Sequence, residues 1–259
     1  MNSLERSLIE KAGYDNGWEI VLESVPEMVS LASALHRARA SINPMQSGRG
    51  WRLTLPAGPL VDEMATAEAV SFLENGDFQA ASDGELGRLL RHAARLARSL
   101  PDLPETRFAA AVRRELSQTI TNTEVERLVR QRVGQDIYRS SLMDYWGSAC
   151  AVTGVALPAI LRASHARPWA DCHSDAERLN VFNGFLLAAH LDALFDRKLI
   201  SFDDAGQMLF SPIVTPQIRV VLGISAPLAL RWISPGHLAF LEWHRDAFFR
   251  NLSSPQTHG

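Results

Sequence analysis

The feature that most constrains this chain is a pattern of strand, loop, strand and helix in its C-terminal half. The predicted elements are a strand at 158–169, a polar loop at 171–179, a strand at 181–187 and a helix at 188–197. Pro168 ends the first strand, and Asn183 with Gly184 interrupts the second. Leucine and phenylalanine recur at helical spacing in the last segment. The pattern therefore predicts a ββα unit, in which side chains of a strand and of a helix meet in one cleft.

Polar side chains mark the cleft of this predicted unit. His165 lies in the first strand, and His190 and Asp192 lie at the start of the helix. A neutral imidazole is the usual side chain that takes a proton from water near pH 7. Hydrolysis of a phosphodiester also needs the charge that develops on the phosphate to be neutralised, which a divalent cation does. Mg²⁺ keeps several waters, so one or two protein ligands suffice. These residue types therefore indicate a one-metal hydrolytic site.

Further segments resemble the HNH family of endonucleases, the ββα-metal nucleases, and within it the bacterial branch of restriction-type proteins. The segments that carry the resemblance are 132–139, 150–154, 163–169, 183–200 and 241–245. Together they span about residues 120–250, whereas residues 1–117 resemble no family that we can name. The resemblance implies an α+β fold with a ββα-metal core in the C-terminal half. A separate N-terminal domain of mixed helices and strands precedes it.

The resemblance also implies roles for single residues. His165 takes the place of the general base, and Asn183 takes that of the asparagine that braces the loop carrying the base. Asp192 lies nine residues after Asn183, at the position of a metal ligand, with His190 as the rival or as a group beside the ligand. Many family members have an acid or a histidine just before the base, where this chain has Ser164. The candidates for the remaining ligand are Asp196, Asp175 and water.

The implied reaction is metal-dependent hydrolysis of DNA. The cofactor is a divalent metal, with Mg²⁺ expected and Mn²⁺ or Zn²⁺ as alternatives. Because one site cuts one strand, a double-strand break calls for two sites and hence for a homodimer. Two other readings stay open. One is a nucleic-acid-binding or regulatory module whose nuclease centre has decayed, and the other is an RNase or a nuclease toxin.

Two groups of cations are candidates for contacts with nucleic acid. The first lies near the predicted site and comprises Arg167, Arg178, Arg197 and Lys198. The second is an arginine stripe on a predicted helix at 85–100, comprising Arg88, Arg91, Arg95 and Arg98. Their spacings of three and four residues place these arginines on one helix face, which is typical of either a solvated surface or a phosphate-binding surface. The net charge of −3 requires that any binding of nucleic acid uses such local patches.

Length, cysteine content and the absence of long apolar runs indicate the domain organisation and the cellular compartment. The 259 residues suffice for two domains, which we place at 1–117 and 118–252, followed by a tail at 253–259. The sequence does not identify the role of the first domain, and we expect it to serve in target recognition or dimerisation. Two cysteines without a Cys-x-x-Cys pair disfavour a thiolate zinc site and suit a reducing cytosol. The sequence shows no signal peptide and no apolar run that could span a membrane, so we expect a cytoplasmic protein.

The periodicity of some segments leaves their secondary structure open or favours a specific element. Residues 28–42 are ambiguous between strand and helix, and 52–55 predict a strand. Residues 60–74 predict a helix that Asn75 and Gly76 close. Two separate helices are predicted at 123–133 and 136–146.

Overall fold

A computed structural model describes residues 1–45, 50–66, 71–73, 76–117 and 123–253. The chain divides into two compact units, Met1–Leu103 and Pro104–Gly259. This division precedes the boundary that we predicted at residues 118–122, which lie outside the described residues, as does most of the predicted tail. Helices and strands are mixed in an α+β arrangement, which confirms the predicted fold class.

The first unit is an antiparallel sheet with helices. Its elements are α1 (Ser3–Asp15), β1 (Ile20–Val25), β2 (Met28–Ala32), β3 (Arg39–Pro44), β4 (Trp51–Thr54), α2 (Pro59–Thr66), β5 (Ser71–Phe72), β6 (Phe78–Ala80) and α3 (Asp83–Ser99). The strand order is β1-β2-β3-β4-β6-β5, and every neighbouring pair is antiparallel. The ambiguous segment at 28–42 therefore contains two strands, and the predicted strand at 52–55 is confirmed as part of β4.

Alternation of buried side chains explains why these strands form. Leu31, Ile42, Leu53 and Phe78 are fully buried, while their neighbours along each strand are more exposed. The predicted helix at 60–74 is too long, because α2 ends at Thr66 and strand β5 has formed by residue 71. Residues 67–70 and 74–75 lie outside the described part of that prediction. Pairing of β5 with β6 outweighs the local helical pattern there.

The second unit holds the predicted ββα pattern. Its elements are α4 (Asp102–Leu116, which begins just before the division), α5 (Thr123–Tyr145), β7 (Leu161–His165), α6 (Asp175–Leu179), β8 (Gly184–Ala188), α7 (Ala189–Asp196), β9 (Ile200–Phe202), β10 (Met208–Phe210), α8 (Pro216–Val221) and α9 (Pro235–Ser253). β7 pairs with β8, and β9 with β10, both antiparallel. α5 is one continuous helix where two were predicted. Among the described residues, none of the helices is both long and apolar enough to cross a membrane.

A buried histidine of α9, His244, packs against the end of α7 and against β9. The His244 ring of α9 stacks on Phe195 at 3.8 Å between ring centroids. Its Nε2 lies 2.9 Å from the Phe195 carbonyl oxygen, and its Nδ1 lies 2.9 Å from the Ser201 hydroxyl. Burial, the largest cause, and the nearby positive charge of Lys198 lower the pKa of His244 to about 3. This histidine is therefore neutral and ties α9 to the end of α7.

Candidate active site

The frame of the site is the short hairpin of β7 and β8 with α7 directly after it. In the register of the hairpin, His165 lies opposite Gly184. A Cβ atom at Gly184 would lie 1.9 Å from the Ser164 carbonyl oxygen and 2.5 Å from the Tyr138 hydroxyl. Only glycine permits this close approach, since the backbone of β7 and the side chain of Tyr138 occupy the space of a side chain. The Asn-Gly pair of the sequence thus lets β8 begin directly against the end of β7.

His165 is held by a carbonyl and two rings. Its Nε2 lies 2.9 Å from the carbonyl oxygen of Arg178, an atom that only accepts hydrogen bonds. The imidazole stacks on Tyr138 of α5 at 3.8 Å between centroids, and Trp169 lies edge-on at 6.1 Å. Burial lowers the pKa of His165 to about 4, although the bond to the carbonyl works in the opposite direction. The imidazole is therefore neutral near pH 7, with the proton on Nε2 and a lone pair on Nδ1.

Asn183 closes the loop that leads away from His165. Its side-chain oxygen accepts a hydrogen bond from the Arg167 backbone N–H at 2.8 Å. Its amide nitrogen, which has two hydrogens, lies within hydrogen-bond distance of three acceptors: the carbonyls of Arg167 and Glu177 at 3.2 and 3.1 Å and the Cys172 sulfur at 3.3 Å. The side chain is fully buried. A buried amide with all these partners connects the beginning and the end of residues 166–183, so it keeps the loop closed.

Asp192 and Ser164 meet on the other side of β7. Successive side chains of a strand point to opposite faces, so Ser164 faces α7 while His165 faces α5. The Ser164 hydroxyl donates to Asp192 Oδ1 at 2.5 Å. Asp192 is half-buried in the first turns of α7, and His190 and Asp196 are exposed on the same helix. The Ser164 hydroxyl and the Asp192 carboxylate thus form a pair of oxygen groups beside β7, one residue before His165, the candidate general base.

The donors in this region fit a hard cation. Within the described residues, no three histidine, cysteine or acidic side chains converge as a ready metal site. The Asp192 carboxylate and the Ser164 hydroxyl are oxygen donors, which suit Mg²⁺ or Mn²⁺ that retains most of its water. Zn²⁺ favours histidine and cysteine ligands, and His190, on the same helix as Asp192, is a candidate of that type. Asp175, a candidate for the remaining ligand, instead forms ion pairs with Arg130 and Arg178.

The four cations predicted near the site differ in what they contact. The Arg167 guanidinium lies 3.4 Å from Glu177 and over the rings of two aromatic residues of α9. The Arg178 guanidinium donates to atoms of its own loop. Lys198 is half-buried and donates to the Asp196 carbonyl at 3.2 Å, and desolvation lowers its pKa. Arg197 is exposed at the end of α7, so it is the cation best placed to meet a ligand.

The arginine stripe lies on α3 in the first unit. Arg88 is exposed and lies 3.4 Å from Glu85 of the preceding turn. Arg91 donates through Nε to the Asn16 side chain at 2.9 Å. Arg95 and Arg98 are half-buried and also have partners. The leucines of α3 are buried, as the amphipathic pattern predicts, but the arginines contribute to packing within the unit as well as to its surface charge.

Two positions of α5 matter for the site in ways that the sequence did not predict. A Cβ at Gly134 would lie 2.1 Å from the Trp169 ring, so this glycine makes room for the indole beside His165. Tyr138, four residues later, stacks on His165 and donates to the Asn183 carbonyl at 2.9 Å. The spacing of four residues places both on one helix face, and that signal is visible in the sequence. Which loop this face contacts is not visible there.

Comparison with known proteins agrees with this geometry. A family model described as HNH endonuclease matches residues 150–203. The match spans β7, β8, α7 and β9, and it includes His165, Asn183 and Asp192. No curated protein matches the chain.

Proposed function

We propose that the protein is a metal-dependent endonuclease that hydrolyses DNA phosphodiester bonds, starting from the match of residues 150–203 to the HNH endonuclease family model. One observation carries the proposal. The hydrogen bond from His165 Nε2 to the Arg178 carbonyl commits the proton to that nitrogen and leaves the Nδ1 lone pair available. A neutral imidazole with one committed nitrogen is what a general base for water requires.

In the proposed mechanism, His165 Nδ1 takes a proton from water as the water attacks phosphorus in line. Tyr138 keeps the imidazole plane in position by stacking, and Asn183 holds the loop that supplies the Arg178 carbonyl. A divalent cation, when bound, neutralises the charge that develops on the phosphate and on the leaving 3′-oxygen. Asp192 would hold it, with His190 as the rival ligand. The Ser164 hydroxyl keeps the Asp192 carboxylate oriented.

The proposal extends to the oligomeric state, the compartment and the biological role of the protein. Because a single site cuts one strand, double-strand cleavage would use two sites and hence a homodimer. We place the activity in the cytoplasm and in restriction-type defence, with the first unit recognising the target or joining the copies. The free and buried state of Cys150 and Cys172 supports a reducing compartment. Arg197, exposed beside the site, is the proposed phosphate contact.

The test is plasmid nicking with Mg²⁺, Mn²⁺ or EDTA, comparing wild type with His165→Ala. We expect nicking that EDTA abolishes and a loss of about 10²- to 10⁴-fold in the variant, typical of removing a general base. His173→Ala is the matched control, because His173 is an exposed histidine of the same loop. It should cleave like wild type.

Three results would redirect the proposal. DNA binding without nicking in any metal would favour a module with a decayed centre, an alternative that Ser164 before the base keeps open. Preferential cleavage of RNA in a competition assay would favour an RNase or a nuclease toxin. Equal rates for His165→Ala and wild type would remove His165 from the chemistry.

A further inference from the structure

Arg178 stands out because its backbone and its side chain serve the same loop. Its carbonyl oxygen is the acceptor for His165 Nε2 at 2.9 Å. Its Nε donates to the Trp169 carbonyl at 3.2 Å, and one terminal nitrogen donates to the Cys172 carbonyl at 2.8 Å. The other terminal nitrogen donates to Asp175 Oδ1 at 3.0 Å. All three guanidinium nitrogens are therefore engaged inside the loop.

The same contacts connect the loop to α5. The second oxygen of Asp175 pairs with Arg130 of α5. The Arg178 guanidinium also lies over the Trp169 ring, which in turn packs against Gly134 of α5. Only about a quarter of the Arg178 side chain is exposed, at 24%. This arrangement leaves little of the guanidinium exposed to a phosphate of a nucleic acid. It anchors the residue whose carbonyl accepts from His165 to its own loop and, through Asp175 and Trp169, to α5.

On this basis we infer that Arg178 is a positioning residue, which orients His165 through its carbonyl and contacts no phosphate. The inference deepens the proposed nuclease function and replaces the expectation that Arg178 binds nucleic acid. A rigid fork of donors is needed to bond two carbonyls and a carboxylate at once. A lysine keeps the charge but places its donors on a single nitrogen. Arg178→Lys should therefore loosen the carbonyl that fixes the tautomer of His165.

The first experiment reads the tautomer and needs no activity. In ¹⁵N-labelled protein, the histidine ring nitrogens distinguish the Nε2–H from the Nδ1–H form. We expect His165 in the wild type to be in the Nε2–H form and in Arg178→Lys to become a mixture of both tautomers. Asp175→Asn, which removes the carboxylate between Arg178 and Arg130, is a second variant that should shift the tautomer in the same direction. An unchanged His165 tautomer in both folded variants would overturn the inference.

The second experiment separates positioning from binding. Arg178→Lys should lower kcat by about 10²-fold, the scale of an ångström-sized misplacement. Arg178→Gln, which removes the charge, should leave the DNA dissociation constant and its salt dependence unchanged. Arg197→Gln is the matched control and should behave in the opposite way, with weaker binding and a log–log salt slope flatter by about 0.9. A flatter slope for Arg178→Gln with an unchanged cleavage rate at saturation would identify a phosphate contact and overturn the inference. A tautomer shift without cleavage in any variant would refute only the nuclease proposal.

Discussion

Replacing Gly184 with alanine tests the geometry of the site most directly. The added Cβ would lie 1.9 Å from the Ser164 carbonyl oxygen, 2.5 Å from the Tyr138 hydroxyl and 2.9 Å from the Ser164 carbonyl carbon. Contacts this short do not occur, so β7 must move away from Gly184 and Tyr138 must shift as well. Both changes displace His165, because His165 is opposite Gly184 in the hairpin and stacks on Tyr138.

The expected loss of unfolding free energy follows from the contacts that the added methyl group disrupts. Forcing a methyl group into a filled site costs about 1–3 kcal/mol. If Tyr138 moves, the buried hydrogen bond from its hydroxyl to the Asn183 carbonyl is lost, for about another 1–3 kcal/mol. The free energy of unfolding should therefore fall by roughly 2–6 kcal/mol, a large part of the about 5–15 kcal/mol of a typical domain. Nuclease activity should fall with it.

The assay is urea denaturation of full-length protein, with Gly223→Ala as the matched control. Gly223 has a φ of 70° and no atom within 4 Å of a built Cβ, so alanine there meets only backbone strain of about 1–2 kcal/mol. Gly184 has a φ of 154°, so both variants carry some strain but only one carries the overlap. Equal losses of unfolding free energy in the two variants would refute the steric argument.

Three further predictions concern metal, pH and charge. Asp192→Ala should weaken Mn²⁺ binding in calorimetric titration more than Asp196→Ala does. If Mn²⁺ affinity is unchanged in Asp192→Ala and lost in His190→Ala, the metal ligand is His190 instead. Burial lowers the pKa of His237 to about 4 from 6.5, so its contribution to stability is complete above pH 6.5 and declines by about 1.4 kcal/mol per unit as the pH falls towards 4. His237→Asn should reduce the slope of the unfolding free energy against pH in that range, to which His165 and His244 also contribute, and an unchanged slope would contradict the prediction. Arg88→Gln should weaken DNA binding and flatten its log–log salt slope by about 0.9 if the stripe contacts phosphate, whereas a purely solvated face predicts no change in either.

Contiguous residues determined the ββα unit. The predicted strand at 158–169 contains β7, the strand at 181–187 overlaps β8, and the helix at 188–197 contains α7. Turn chemistry at Asn183 and Gly184 and apolar spacing in α7 act over a few residues, so they are visible in the sequence. The position of Asp192 beside β7 is also determined locally. Because α7 begins directly after β8, no connecting loop separates the helix from the hairpin.

Long-range contacts decided the rest. The ambiguous segment at 28–42 became β2 and β3 because a sheet was there to pair with, and two predicted helices became one continuous α5. Tyr138 and His165 are 27 positions apart in the sequence, one in α5 and one in β7, and no local pattern encodes their contact. The inward direction of Arg178 has the same origin, since backbone carbonyls are two of its acceptors and carbonyls carry no sequence signature. A charged residue near a site looks alike in the sequence whether it meets a ligand or its own loop, and only the folded chain distinguishes the two.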